Sequence, residues 1–294
     1  MNVFDELPDL SILRPHWSGG SHCPDTHRVY VRGMAIGGDE PVIIAGPCAV
    51  ESHEQTMAIA VAARDAGAEL LRGGCYKPRT NPHSFQGLER AGLEILADVR
   101  DCTGLGIVTE VMDPRELHPV AKVADMIQIG SRSMQNFPLL REVGRAGLPV
   151  LLKRGWSATL EEWLCAAEYI AMEGNRDIVL CERGIRTSCS WSYARNVLDL
   201  NIIEPVRQAT PLPIVVDPSH AAGLASLVPA MSRAALEARA HGLLIEVVAS
   251  ESMRAGLKCD ANQGVLPAEL AEIVAHARTI GPVSPRDDWR RTPV

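Results

Sequence analysis

The sequence has no apolar run approaching the roughly 20 residues that a membrane-spanning helix needs, so a helical transmembrane protein is excluded. Met1 to Trp17 carry acids and no apolar signal core, so no secretory leader is read there. Eight cysteines are scattered without a single CxxC pair, unlike the dense spacing of small secreted disulfide scaffolds. Neither GxGxxG nor GxxxxGK[ST] occurs, so a nucleotide phosphate is not the obvious ligand. There is no GxSxG elbow to turn Ser219, His220 and Asp217 into a hydrolase constellation. Low-complexity tracts and exact repeats are absent too. A net charge of -7 argues against nucleic acid and acidic membranes as partners, yet leaves room for a local basic pocket. A reduced, cytoplasmic, soluble protein is the expectation.

What is present is regular. With 294 residues, 46% hydrophobic and 22% charged, the chain is globular and long enough for a large core. Residues 1–28 show little periodicity and read as an N-terminal extension. The stretch 29–42 predicts a small β-hairpin turning at Gly37-Gly38-Asp39. Eight short β-type runs follow: Val42–Ala45, Glu69–Arg72, Ile107–Val111, Met126–Ile129, Val150–Lys153, Ile178–Cys181, Ile214–Asp217 and Leu243–Val247. Between them lie stretches with helical spacing, such as EQTMAIAVAARDAG and TLEEWLCAAEYIAMEG. Strand–helix alternation implies a parallel sheet. Eight units without a break in composition favour one closed α/β structure, a (β/α)8 TIM barrel. The expected division is an extension over 1–28, a catalytic barrel with its hairpin over 29–280 and a tail over 281–294.

The ends of the runs carry the chemistry. Most finish in, or lead directly into, a polar or reactive residue: Cys48, Arg72, Glu110, Gln128, Lys153, Glu182-Arg183, Asp217 and Glu246. Barrel active sites sit at the C-terminal ends of the strands. A charge placed there without a task costs desolvation. Cys48, His220, Glu246 and Asp260 follow the first, seventh and eighth runs, which are neighbours in a closed barrel. Such a mixed donor set suits Mn²⁺, Fe²⁺, Co²⁺ or Zn²⁺; the plainer alternatives are a core thiol at Cys48 and an ion-pair partner at Glu246. Arg72, Lys77, Arg79, Arg132, Lys153, Arg154, Arg183 and Arg186 lie at or after the second, fourth, fifth and sixth runs. So many cations at one mouth suggest at least two anionic groups to bind, against the alternative of solvated surface charge. Trp156, Trp163 and Trp191 read as packing anchors, and His16, His22, His27, His53, His118, His241 and His276 as surface or helix residues.

Longer strings are more specific. IIAGPCAVES at 43–52, LLRGGCYKPRTNPHSFQGL at 70–88, TEVMDP at 109–114 and QIGSRSMQNFPLL at 128–140 appear in order. PVLLKRGWSATLEEW at 149–163, CERGIRT at 181–187, ARNVLDL at 194–200, LPIVVDPSHAAG at 212–223 and GLLIEV at 242–247 continue the series. On these strings the chain resembles the type I β group of 3-deoxy-D-arabino-heptulosonate 7-phosphate (DAHP) synthases, with a further likeness to 3-deoxy-octulosonate 8-phosphate (KDO8P) synthases. The resemblance runs from about residue 28 to 275. It implies a metal-dependent aldol-type condensation of phosphoenolpyruvate with erythrose 4-phosphate and water, the first step of the shikimate pathway.

The resemblance also assigns residues. Cys48, His220, Glu246 and Asp260 would bind the divalent metal. Arg72, Lys77, Arg132, Lys153 and Arg183 would form the phosphoenolpyruvate pocket, and Arg79 and Thr80 would clasp the aldose phosphate. Glu110, Lys153 and His220 would relay the proton of the water that adds at C2. KPRT, where KDO8P synthases carry a KANRSS-like string, favours the four-carbon acceptor. The chain departs from the family at SCSWSY (188–193), at Val248 where a His is common, and at Asn81 in KPRTNP. These departures bear on the acceptor. A sister synthase acting on another aldose phosphate is the alternative, and an inactive barrel kept as a binding partner a more remote one. A homo-oligomer (dimer or tetramer) is expected, without a fused chorismate mutase or ferredoxin-like domain.

Overall fold

The computed structural model describes residues 10, 12–13, 26–188 and 194–281. The rest of the 1–28 extension, the tail beyond 281 and most of SCSWSY, with Trp191, lie outside the described residues. Two antiparallel strands come first, β1 (Val29–Val31) and β2 (Met34–Ile36). The barrel strands are β3 (Val42–Gly46), β4 (Leu70–Arg72), β5 (Gly106–Glu110) and β6 (Met126–Ile129). They continue with β7 (Val150–Lys153), β8 (Ile178–Glu182), β9 (Ile214–Val216) and β10 (Gly242–Glu246). Each begins within one residue of its expected place. All are parallel, and β10 pairs with both β9 and β3 to close the barrel.

Helices alternate with the strands: α1 (His53–Asp65), α2 (Glu89–Thr103), α3 (Leu117–Ala121), α4 (Phe137–Arg145) and α5 (Leu160–Ala171). Then come α6 (Ile203–Ala209), α7 (Pro218–Ala222), α8 (Val228–Glu237), α9 (Glu251–Arg254) and α10 (Pro267–Thr279). Local chemistry sets their starts. The Ser52 side chain accepts from the Gln55 N–H ahead of α1, and Thr159 with Glu162 forms a capping box at α5. No helix among the described residues is long and apolar enough to cross a membrane.

Strand alternation splits the core in two. Ile44, Leu70, Val108, Met126, Leu151, Val179, Val215 and Leu244 form an inner cluster inside the barrel. Ile43, Leu71, Ile107, Ile127, Leu152 and Leu180 belong to the larger cluster shared with the helices. Val29, Val31 and Ile36 join the inner cluster, so the hairpin plugs the barrel floor. Its turn is not at Gly37-Gly38-Asp39 as expected but at Arg32-Gly33, both at positive φ. A two-residue turn of that kind matches the twist of paired strands, and Gly33 adopts it without steric cost. Part of the extension also docks: Leu10 and Leu13 are buried, and the Ile12 and Leu13 N–H groups donate to Glu168 of α5.

His241, expected at the surface or on a helix, is instead buried beside the floor ahead of β10, where its Nδ1 accepts from the Ile214 N–H at 3.1 Å. Burial pushes its pKa down from 6.5 to about 4, with Arg207 adding to the shift. As pH falls from 6.5 towards 4 the unfolded chain takes up a proton that the folded one refuses, so stability present above pH 6.5 is lost. Between about pH 7.5 and about pH 5 the wild type should lose roughly 2 kcal/mol more than His241→Asn, whose side-chain oxygen can still accept from Ile214. Urea unfolding at both pH values checks this; identical pH slopes would show that His241 titrates normally.

Candidate active site and metal centre

The same alternation that fills the barrel decides which strand ends face its mouth. Arg72 follows Leu70, Glu110 follows Val108, Gln128 follows Met126, Lys153 follows Leu151 and Glu246 follows Leu244 at a spacing of two. All five are buried polar residues at the C-terminal end of the barrel. Gly46 lets β3 and β4 approach closely there, since an added Cβ would lie 2.1 Å from the Arg72 carbonyl oxygen. Arg72, Lys77, Arg79, Thr80, Glu110, Arg132, Lys153, Arg183, His220 and Asp260 all line one cavity of about 310 Å³. A larger groove of about 610 Å³, beside Phe137, Arg141 and Tyr169 on the outer helices, contains none of the expected site residues.

Arg154 is the exception. It shares its parity with Leu152 and points among the helices. Its Nη1 donates to Glu182 (3.1 Å) and Asp199 (2.8 Å), and its Nε donates to the Ala158 carbonyl. Held in the wall by these bonds, Arg154 is a structural cation and does not line the cavity, contrary to expectation.

The ligand atoms of Cys48, His220, Glu246 and Asp260 all lie within 4.8 Å of one another. Cys48 Sγ stands 3.3 Å from Asp260 Oδ2, and His220 Nε2 stands 3.1 Å from Glu246 Oε1. Burial pushes the His220 pKa down to about 4 against the pull of Asp217, so the ring is neutral near pH 7. Its Nδ1 lies 2.7 Å from Asp217 Oδ2, and an ionised carboxylate there requires Nδ1 to carry the proton. Nε2 is then a lone pair facing a carboxylate oxygen. Two acceptors at 3.1 Å call for a cation between or beside them, and the donor set fits a divalent metal ion. The hydrogen bond that the Cys48 thiol shares with Cys259, with Cys48 as donor, followed by burial, raises the Cys48 pKa well above its ordinary value. A nearby divalent charge would reverse that shift.

Around this cluster lie fixed donors. Arg72 Nη1 donates to Glu246 Oε1 at 2.7 Å, and Lys77 Nζ stands 3.2 Å from Cys48 Sγ. Burial opposes the charge of Arg72 and of Lys77, but Glu246 for the first and Cys48 for the second hold both pKa values above ordinary. Arg72 Nε is buried without a hydrogen-bond partner among the described residues, a donor left for an incoming acceptor. Lys153 Nζ donates to Asp217 Oδ2 at 2.6 Å. Glu110 accepts from Gln128 at 3.2 Å, and Gly130 makes room for it, since a Cβ there would sit 2.0 Å from Glu110 Oε1.

Further residues, to which the sequence assigns no particular role, join the site. Asp217 is fully buried and joins Lys153 to His220. Arg195, Nη1 donating to Asp260 Oδ1 at 3.2 Å, helps keep Asp260 ionised against burial. Trp156 is not a packing anchor like the buried Trp163; it lines the cavity with Arg132 and Arg186 over its ring at 4.5 and 4.0 Å. Burial lowers the pKa of Arg132 against the pull of Glu110, with Arg195, Arg79 and Arg186 adding to the shift. Arg79 Nη1 stands 3.0 Å from Cys259 Sγ, and Thr80 Oγ1 is 3.5 Å from Arg132. Asn81 lines the cavity while its side chain accepts from the His83 N–H, whereas Val248 is buried away from the cavity.

Comparison with known proteins bears on the family and the fold. The profile of the DAHP synthetase I family matches residues 23–279. Phospho-2-dehydro-3-deoxyheptonate aldolase of Thermotoga maritima is 48% identical over 224 residues, 76% of this chain and 66% of that enzyme, just under two thirds of its length. A crystal structure of the Thermotoga maritima enzyme superposes with a TM-score of 0.83 at 42% identity, covering 91% of this chain and 75% of the other. The 2-dehydro-3-deoxyphosphooctonate aldolase of Syntrophotalea carbinolica is more distant, 34% identical over 76% of this chain and 85% of its own.

Proposed function

The chain belongs to the DAHP synthetase I family, and from that premise we propose that it condenses phosphoenolpyruvate with erythrose 4-phosphate and water, releasing phosphate. One observation carries the reading: His220 and Asp260 belong both to the four-ligand cluster and to the wall of the cation-lined cavity. A metal ion and two anionic substrates would therefore meet in one place. Cys48, His220, Glu246 and Asp260 would hold the ion, with Mn²⁺, Fe²⁺, Co²⁺ and Zn²⁺ all compatible with the donor set. When bound, it would supply Lewis acidity to the aldehyde carbonyl.

The remaining work falls to the chain's own side chains. Arg72, Lys77, Arg132, Lys153 and Arg183 hold the phosphate and carboxylate of phosphoenolpyruvate, so that C3 is aimed at the aldehyde carbon. Their charges also stabilise the charge that develops as the carbon–carbon bond forms. Water adds at C2, and phosphate leaves with cleavage of its bond to that carbon. Glu110, with Lys153 as a further relay, takes the proton of that water. His220, its Nε2 turned to the ligand cluster and its Nδ1 proton held by Asp217, would hold the ion instead of carrying the proton. Arg79 and Thr80 bind the phosphate of the aldose. The working enzyme is cytoplasmic and homo-oligomeric.

The acceptor is tested by comparing kcat/KM for erythrose 4-phosphate with that for a five-carbon aldose phosphate. The greater likeness to the heptonate enzyme and the Arg79-Thr80 pair favour the four-carbon sugar by about tenfold or more, the discrimination that a shaped pocket achieves for one extra carbon. A preference for the longer aldose would assign the chain to the sister reaction.

A further inference from the structure

The four candidate ligands are not held alike. Cys48 comes just after β3, Glu246 ends β10 and His220 lies within α7, so three ride on the barrel's own frame. Asp260 comes only after α9 and a loop, with its backbone at φ +47°, a left-handed conformation unusual for a residue with a Cβ. Something must hold it there.

Two side chains grip the loop on either side of it. Before Asp260, Glu51 Oε1 accepts from the backbone N–H groups of Lys258 (3.0 Å) and Cys259 (3.1 Å), and Oε2 accepts from Lys258 at 2.9 Å. After it, Arg254 Nη1 donates to the carbonyls of Ala261 (2.8 Å) and Gly264 (2.9 Å). Arg254 is itself aimed by Glu251, Nε to Oε2 at 2.8 Å and Nη2 to Oε1 at 3.0 Å. Charge-assisted bonds to backbone amides and carbonyls are among the stronger hydrogen bonds a protein makes. Glu51 lies three residues beyond Cys48, so its grip ties the loop of one ligand to the loop of another.

We propose that Glu51 and Arg254 are positioning residues that preorganise Asp260 as the fourth ligand of the divalent cation. Neither belongs to the ligand cluster. By fixing the loop beforehand they remove the ordering cost that cation binding would otherwise bear. The inference rests on the metal-centre reading above, and the experiment separates the two.

The test strips the full-length protein with a chelator and measures Co²⁺ affinity by competition with a chromophoric chelator. Glu51→Ala and Arg254→Met should each bind Co²⁺ about 10- to 100-fold more weakly, as is usual when an outer partner of a ligand is lost. Saturating Co²⁺ should restore their turnover, since neither touches substrate. Glu51→Gln, which keeps an acceptor oxygen without the charge, should fall between wild type and Glu51→Ala. A purely structural role would lower the melting temperature of the stripped protein and leave Co²⁺ affinity within about twofold of wild type; that result, with Asp260→Asn still impaired, overturns the inference. If Cys48→Ser and Asp260→Asn also bind Co²⁺ as wild type does, the metal centre itself is misassigned.

Discussion

Lys153→Met should lower kcat by about 10³-fold or more while the barrel still folds. Lys153 ends β7, faces the cavity and is 4% exposed, so its charge acts from a largely buried position where the effective dielectric is lower than in water. Methionine nearly matches the stem and removes only the ammonium group. In the proposed reaction that group holds the donor's anion and helps to move the proton of the attacking water. The same change strips Asp217 of a partner at 2.6 Å and leaves His220 to satisfy a buried carboxylate. Breaking a buried pair from one side costs about 3–5 kcal/mol, so thermal unfolding should shift downward in parallel. Steady-state rates of phosphoenolpyruvate loss, with melting curves by circular dichroism, check both parts. Activity near wild type would remove Lys153 from the mechanism.

Asp217→Asn should be nearly as damaging, for a different reason. Asp217 Oδ1 accepts from the His220 N–H at 2.9 Å and caps α7, while Oδ2 fixes the protonated Nδ1 of the ring. An amide can instead offer its NH₂ to Nδ1. The imidazole proton then moves to Nε2, and the lone pair needed at the ligand cluster is lost. Metal affinity should fall by about 10- to 100-fold, and kcat by about 10³-fold or more, comparable with other wrong-tautomer substitutions. Excess metal should recover little of the rate, which separates this variant from those that loosen the Asp260 loop. Titration with Co²⁺ beside the rate measurement decides it; full rescue by Co²⁺ would show that the ring orientation does not depend on Asp217.

The barrel was legible because its signals are local. Short β-rich runs and helical spacing between them place each strand within a residue, and polar run ends mark the mouth. The hairpin turn was misplaced because Gly37-Gly38-Asp39 looks more like a turn than Arg32-Gly33, where a non-glycine residue takes positive φ. Arg154 follows Lys153 directly, and adjacent residues leave a strand on opposite sides: Lys153 shares the inward parity of Leu151, Arg154 the outward parity of Leu152. Asp217 stands in DPSH beside its local partner His220, but its second partner, Lys153, meets it only because β7 and β9 face the same interior. Arg195 and Glu51 were out of reach in another way. Arg195 meets Asp260 across 65 residues, and Glu51 meets Lys258 across 207. Only the closed barrel brings such segments together.

The most direct test is a single-vessel stoichiometry. Chelator-stripped protein, restored with Mn²⁺, is given phosphoenolpyruvate with and without erythrose 4-phosphate, and the loss of the enol and the release of inorganic phosphate are followed together. The two should proceed one for one, require both the metal and the aldose, and stop when the limiting aldose is exhausted. Phosphate release without aldose, or no consumption of phosphoenolpyruvate with any four- or five-carbon aldose phosphate after metal is restored, would contradict the proposed synthase.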